Sequence, residues 1–447
     1  MSGASQARRR RGPDDLDIVA FERGNFTSYS ACGIPYWIGG EVTDRDQLIA
    51  RRPETFREDY DIAVHLRSEV VAIEPDERTV RVRDLAAGGE RDEPYDELLI
   101  ATGAVPYRPD LPGIDAAGIH GVQTLDDGQR ILEDLGGGCS QAVVVGGGYI
   151  GLEMAEAMVQ RGIHVHLVDR GTHPMRRALD PDMGAMVARE VEALGVELHL
   201  GTGVLGFDVG DDGRVVNVAT EDGDIHADVV ILGIGNAPNV ELARDAGLAV
   251  GDAGGVVTDR RQRTPTPGIW AAGDCAEVFH RVSRRWMAIA LGTIANKQGR
   301  VAGINLGGGY ATFPGVVGTA VTKVCGTEVA RTGLGQQEAC DVGFEVVTET
   351  VRSTTRAGYF PGAKHLTMKV VAEKRTGRLL GAQIVGEEGA AKRIDVFATA
   401  LWNEMTVDDL LNVDLSYAPP FSPVWDPVLI AARKSWQAVE DDLRANP

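Results

Sequence analysis

The chain has 447 residues, 43% of them hydrophobic and 25% charged, with 56 glycines. This excludes a disordered or collagen-like protein and predicts a soluble α/β chain of about three domains. A formal net charge of −20 opposes nonspecific binding to nucleic acid or anionic membrane, so neither is an expected partner.

Five cysteines, scattered without metal-ligand spacing, form no disulfide framework; no metal is expected, and a reducing, cytoplasmic setting fits. The basic run Arg8-Arg9-Arg10-Arg11 is not followed by the apolar segment of an export signal, and no run is long enough to cross a bilayer. This Arg-rich stretch predicts a helix, and residues 16–22 predict a short strand ending at Glu22. The strand reads as the second of a mononucleotide-binding unit, in which Glu22 would hydrogen-bond ribose hydroxyls; the alternative is a solvated strand-end acid. The strand and glycine turn that open such a unit take roughly a dozen residues, and only residues 1–7 stand ahead of the arginines. The chain therefore reads as beginning inside the first helix, through a late assigned start or a real loss of half the phosphate cradle.

Next, Ser28-Tyr29-Ser30-Ala31-Cys32-Gly33-Ile34-Pro35-Tyr36 places one cysteine just beyond that strand, the others being Cys139, Cys275, Cys325 and Cys340. With no second thiol nearby, Cys32 would cycle with an external sulfur or oxygen species. Gly33 and Pro35 suit a first helical turn, which would put Cys32 at a helix N-terminus whose dipole favours thiolate. The alternative is a buried structural cysteine.

Leu98 to Ala104 predicts a hydrophobic strand ending at Thr102-Gly103, suited to close cofactor contact. A complete dinucleotide site follows, with a strand at 142–145, the turn Gly146-Gly147-Gly148-Tyr149-Ile150-Gly151, a helix from Leu152 and a second strand from His164 to Asp169. Gly146 would make the turn, Gly148 would let the backbone approach a pyrophosphate, and Gly151 would permit tight helix-to-strand packing. Gly268 to Asp274 predicts another strand, whose terminal acid would accept hydrogen bonds from a polyhydroxylated chain or cap a helix. From Gly315 onward, strands at 366–371 and 381–386 and a helix pattern near 394–405 predict an α+β association domain. Four prolines between Pro419 and Pro427 make 415–427 an irregular loop.

The segment 28–36, Ala101-Thr102-Gly103, the turn at 146–151, Ala271-Ala272-Gly273-Asp274 and Tyr417-Ala418-Pro419-Pro420-Phe421 together resemble the single-cysteine pyridine nucleotide-disulfide oxidoreductases. That family branch includes coenzyme A-disulfide reductases, persulfide reductases and NADH oxidases, and the resemblance covers essentially the whole chain. It implies an α/β fold with two Rossmann-like dinucleotide-binding domains, for FAD and NAD(P), plus a C-terminal α+β dimerisation domain. The implied division is 1–110 with 255–314 for FAD, 111–254 for NAD(P) and 315–447 for dimerisation. It implies a homodimer in which NADH or NADPH reduces FAD, and FAD reduces a low-molecular-weight disulfide or persulfide through Cys32.

The cofactor contacts so implied are Glu22, Arg23, Ala101, Thr102, Gly103, Gly146, Gly148, Tyr149, Ile150, Gly151, Glu153, Asp169, Gly235, Gly273 and Asp274. Among them, Tyr149 corresponds to an aromatic gate for nicotinamide and Glu153 to the acceptor of its carboxamide. Tyr359 and Tyr417 would face the partner's cysteine and protonate a leaving thiolate, or else pack as ordinary aromatics. Coenzyme A contacts would fall on Gln6, Arg9 and Ser28, although Arg8 to Arg11 could equally form a solvated helix face, and Ala31 stands where coenzyme A-disulfide reductases carry Asn. Asp169 would favour NADH by repelling a 2′-phosphate, whereas Arg170, Arg176 and Arg177 could offset that repulsion and admit NADPH. Two rival readings are an NADH oxidase cycling Cys32 through sulfenic acid, and a flavin-free NAD-binding non-enzyme lacking the first strand.

Overall fold

The computed structural model describes residues 1–445. The first region contains α1 (Ser2–Arg8), β1 (Val19–Glu22), α2 (Ile34–Gly39), β2 (Ala63–Leu66) and β3 (Leu98–Ile100). The middle region contains β4 (Gln141–Val145), α3 (Tyr149–Gln160), β5 (His164–Asp169), α4 (Pro181–Ala193), β6 (Glu197–Leu200) and β7 (Val229–Leu232). After β8 (Ile269–Ala271) and α5 (Gly292–Leu306) come β9 (Ala320–Val324), β10 (Thr327–Gly333), β11 (Val346–Thr354), β12 (His365–Glu373) and β13 (Leu379–Gly386). The chain closes with α6 (Ala390–Trp402) and α7 (Pro427–Ala445).

In the middle region, β6–β5–β4–β7 and the short strand Ile119–His120 form one continuous parallel sheet. Its central strands are apolar on both faces, and Val143, Val144, Val230 and Ile231 are fully buried, as a parallel sheet covered on both sides requires. The predicted strand from His164 to Asp169 coincides with β5.

The first region is built differently. β1 pairs in parallel with β2, and β3 with β8, as two separate two-stranded sheets. The strands are shorter than expected, since the 16–22 run is regular only over β1 and the Leu98–Ala104 run only over β3 before resuming at Ala104–Pro106. Helix α1 lies directly on α5, backbone to backbone, because a Cβ at Gly303 would stand 2.2 Å from the Gly3 carbonyl oxygen. Helix α2 docks on α3 of the middle region, with Ile34 and Ile38 buried in the same core as Met154 and Met158. Each such buried side chain contributes about 1.5–3 kcal/mol, and this docking carries the Cys32 turn to the second nucleotide site.

The C-terminal region is a five-stranded antiparallel sheet, β9–β10–β13–β12–β11, backed by α6 and α7 through Met368, Val370, Ile384, Phe397, Val428 and Ala431. Residues 412–426 contain no helix or strand, in keeping with their prolines. No helix among the described residues is long and apolar enough to cross a membrane.

Candidate active site

The strand–turn–helix crossing of the middle region depends on glycine. Gly146 takes φ +98°, and a Cβ at Gly151 would lie 1.9 Å from the Gly146 carbonyl oxygen. At the end of β5, Asp169 accepts from the Gly147 amide (2.6 Å) and the Gly171 amide (2.6 Å), and the Arg176 Nε lies 3.7 Å away. The acid therefore stands against the glycine turn. Gly148 caps α3, Tyr149 and Ile150 begin it, and Gly235 follows β7 at φ +100°. Burial pushes the Tyr149 phenol up to about 12. Arg170 and Arg177 are exposed, and the Arg177 carbonyl accepts from Arg331.

In the first region, Glu22 ends β1 and its Oε1 accepts from the Gly24 amide (2.7 Å), beside the exposed Arg23. Ala101-Thr102-Gly103 follows β3; Thr102 Oγ1 donates to the Asn239 carbonyl (2.6 Å), and the Asn239 amide donates to the Gly103 carbonyl (2.9 Å). Gly273, at φ +90°, donates its amide to the buried Gln298 Oε1 (2.9 Å). Next to it, Asp274 Oδ1 is buried without a hydrogen-bond partner, and burial raises its carboxyl above the usual range. An unsatisfied buried acceptor costs about 1–3 kcal/mol, more when charged. A hydroxyl-bearing ligand would satisfy this one, so the residues present fit the ribityl chain of FAD.

Cys32 lies in the turn Ala31–Gly33 immediately before α2, with Pro35 in the first helical turn, as the sequence predicts. The expected thiolate stabilisation is not found. Desolvation and then the Glu153 carboxylate push the Cys32 thiol up, Asp274 adds to the rise, and only a backbone hydrogen bond opposes it. A six-residue helix has few aligned peptides to offer, whereas tertiary contacts bring in two acids. Glu153 is itself raised by burial, against the hydrogen bond from Thr322 Oγ1 (2.6 Å) that favours its charged form. Cys32 is thus within electrostatic reach of both nucleotide regions.

All five cysteines are free. Cys275 is buried, and desolvation first, then nearby carboxylates, push Cys139 and Cys325 up to about 11. Tyr359 and Tyr417 are neighbours on the C-terminal region, 79% and 47% exposed. Their segments are tied by the Ala357 amide to the Pro419 carbonyl (3.1 Å), and Phe421, Val424 and Trp425 are exposed in the same irregular loop.

Of the coenzyme A candidates, the Ser28 carbonyl accepts from the amides of Ala50 (3.0 Å) and Arg51 (3.3 Å). The guanidinium of Arg51 lies 5.3 Å from the Tyr60 ring, and that of Arg9 lies 5.8 Å from the same ring. Ser28, Arg9 and Arg51 therefore share one patch. Arg51 was not anticipated; the Arg51-Arg52 pair before the helix Pro53–Tyr60 was its only local signal. Gln6 instead packs its Cβ toward Gly303 of α5. Arg8 is no part of a solvated face: it is buried, donating to the carbonyls of Tyr60 (2.8 Å), Leu16 (2.6 Å) and Asp61 (2.8 Å).

Residues 1–299 match the family model described as Pyridine nucleotide-disulphide oxidoreductase, and residues 319–427 match the dimerisation domain of the same name. The chain is 39% identical over 434 residues to a Pyrococcus abyssi protein named NAD(P)H sulfur oxidoreductase (CoA-dependent), covering 97% of this chain and 95% of the relative. It is 34% identical over 425 residues to a Methanocaldococcus jannaschii protein named NADH oxidase, covering 95% of this chain and 94% of the relative. Among solved structures, an NAD-dependent persulfide reductase from A. fulgidus superposes with a TM-score of 0.94 at 36% identity, covering 99% of this chain and 82% of that one.

Proposed function

This chain belongs to the pyridine nucleotide-disulphide oxidoreductase family, and we propose that it uses NAD(P)H and FAD to reduce a disulfide or persulfide of the coenzyme A type at Cys32. The observation that carries this reading is the exposed thiol of Cys32, in the turn that opens α2, which feels the charge of both Glu153 from the second nucleotide region and Asp274 from the first. FAD, when bound, supplies a relay for the electron pair of NAD(P)H.

The chain's own residues do the rest. Glu22 and Asp274 accept hydrogen bonds from ribose and ribityl hydroxyls, and Asp169 accepts them from the nicotinamide nucleotide's ribose. Arg9 and Arg51 present positive charge to a phosphate-bearing thiol. The Cys32 thiolate attacks one sulfur of the disulfide, forming a mixed disulfide and breaking the substrate S–S bond. The departing thiolate takes a proton from Tyr359 or Tyr417 of a partner subunit in a homodimer. The electron pair of NAD(P)H then cleaves the mixed disulfide, restoring the Cys32 thiolate and releasing the second thiolate, which takes its proton from solvent.

The test is disulfide-dependent NAD(P)H oxidation under anaerobic conditions. Cys32→Ser should abolish it while leaving the yellow flavin spectrum unchanged; sustained turnover in that variant defeats the proposal. Tyr417→Phe should slow turnover by about 10²-fold if its hydroxyl donates the proton. The relative named NADH oxidase supports the second reading, which rapid oxygen consumption without added disulfide would favour.

A further inference from the structure

On the parallel pair β5–β6, His166 stands opposite Glu197. Alternate residues of a strand share a face, so His164 and His166 of β5 and Glu197 and His199 of β6 project to the same side, while Val165 and Leu167 enter the core on the other. Glu197 Oε1 is 2.9 Å from His164 Nε2, and Oε2 is 3.5 Å from His166 Nδ1. His166 Nδ1 also lies 3.0 Å from His199 Nε2. One donor atom each from His164, His166 and Glu197 falls within 4.8 Å of the others.

Zinc–nitrogen bonds of about 2.0–2.1 Å place tetrahedral donors about 3.3 Å apart. The Glu197 oxygens stand 2.9 and 3.5 Å from the nearest nitrogens of His164 and His166, on either side of that value. His166 forms a buried floor, with its side chain 10% exposed, and His164 and Glu197 form an open mouth at 48% and 55%. The Gln141 amide nitrogen Nε2 lies 3.0 Å from His166 Nε2, the second ring nitrogen. With that amide turned over, its oxygen would accept from His166 Nε2–H and leave Nδ1 free to face the cluster, as outer partners of metal-bound imidazoles do.

We propose that His164, His166 and Glu197, with water completing the coordination, form a binding site for a divalent transition metal of the zinc class that clips β5 to β6. The site is independent of the redox proposal, since it lies at the opening of β5 whereas Asp169 closes that strand. Binding replaces the hydrogen bonds within the cluster by metal–ligand bonds and expels the proton they share.

The experiment is calorimetric titration of the chelator-stripped holoprotein with zinc chloride, in a Cys32→Ser, Cys340→Ser background that removes the exposed thiols. One zinc per chain and a raised melting temperature are expected. Cobalt(II) should give the visible spectrum of nitrogen and oxygen ligands without a thiolate charge-transfer band. His164→Ala and Glu197→Gln alter exposed side chains and should melt like the parent without metal, yet bind zinc at least about 10-fold more weakly. Absence of zinc binding in the parent, or equal affinity in the His164→Ala, Glu197→Gln double variant, overturns the proposal.

Discussion

The two nucleotide-binding regions use similar parts in different states of completion. In the middle region one continuous five-stranded sheet supports a glycine crossing, and both Asp169 carboxylate oxygens are engaged by backbone amides. In the first region β1–β2 and β3–β8 form two separate pairs beside a three-stranded antiparallel sheet (Ser68–Glu74, Thr79–Asp84 and Glu90–Pro94), and Asp274 keeps a buried oxygen without a donor. A site closed by its own backbone loses little when its ligand leaves, whereas a site with an unsatisfied buried carboxyl relies on the ligand for part of its stability. Added flavin should therefore raise the melting temperature more than NADH added at the same free concentration, a comparison that thermal melts can make directly.

The contrast can be broken most severely at the anchor of the middle region. Lys369 on β12 reaches Asp180 (3.1 Å) and Asp182 (2.8 Å) at the start of α4, with Lys369 and Asp180 both buried. Lys369→Ala leaves Asp180 buried without its cation and should cost about 3–5 kcal/mol in urea unfolding. A loss below about 1 kcal/mol would show that this anchor carries little of the region's stability. Gly151→Ala forces a Cβ against the Gly146 carbonyl and should cost about 3 kcal/mol and weaken NADH binding, without displacing flavin.

Asp274→Asn sharpens the comparison from the other side. Removing a charge-assisted acceptor worth about 1.5–3 kcal/mol should weaken flavin binding by about 10–100-fold, while the flavin-free protein becomes more stable at neutral pH. The sign follows from the raised carboxyl. The folded state binds this proton more tightly than the unfolded chain, so the stabilising contribution is full below the ordinary value of 3.8 and is lost as pH rises through the raised one. Equal apoprotein stability of parent and variant across that window would remove the distinction between the regions. The smallest expected effect is at Glu153→Gln, which removes the carboxylate facing Cys32 and should lower the midpoint pH for Cys32 alkylation. An unchanged alkylation profile would show that desolvation alone sets the thiol.

Features governed by local rules were legible in the chain itself. The glycine turn at 146–151, the strand ending at Asp169, Pro35 in the first turn of α2 and the absence of regular structure over 415–426 of the expected loop 415–427 follow from backbone freedom, proline geometry and hydrophobic periodicity. Even so, the proline pattern conceals α7, because Pro427 reads with the proline-rich loop although in the structure it opens a helix.

Tertiary structure decided the chemistry around those elements. Cys32 occupies its predicted turn, but its proton affinity is raised by desolvation and then by Glu153 and Asp274, which belong to α3 and to the end of β8. Arg8 is buried because the Tyr60 and Asp61 carbonyls come to it, and Arg51 joins Arg9 only across the Tyr60 ring. Likewise His164, His166, Glu197 and His199 become one cluster only through the register of β5 on β6. Local sequence determines where the backbone turns and which residues can stand on one face. Desolvation, Coulomb interaction and hydrogen-bond satisfaction act through space, and they are set by whichever distant residues the packed fold brings within a few ångströms.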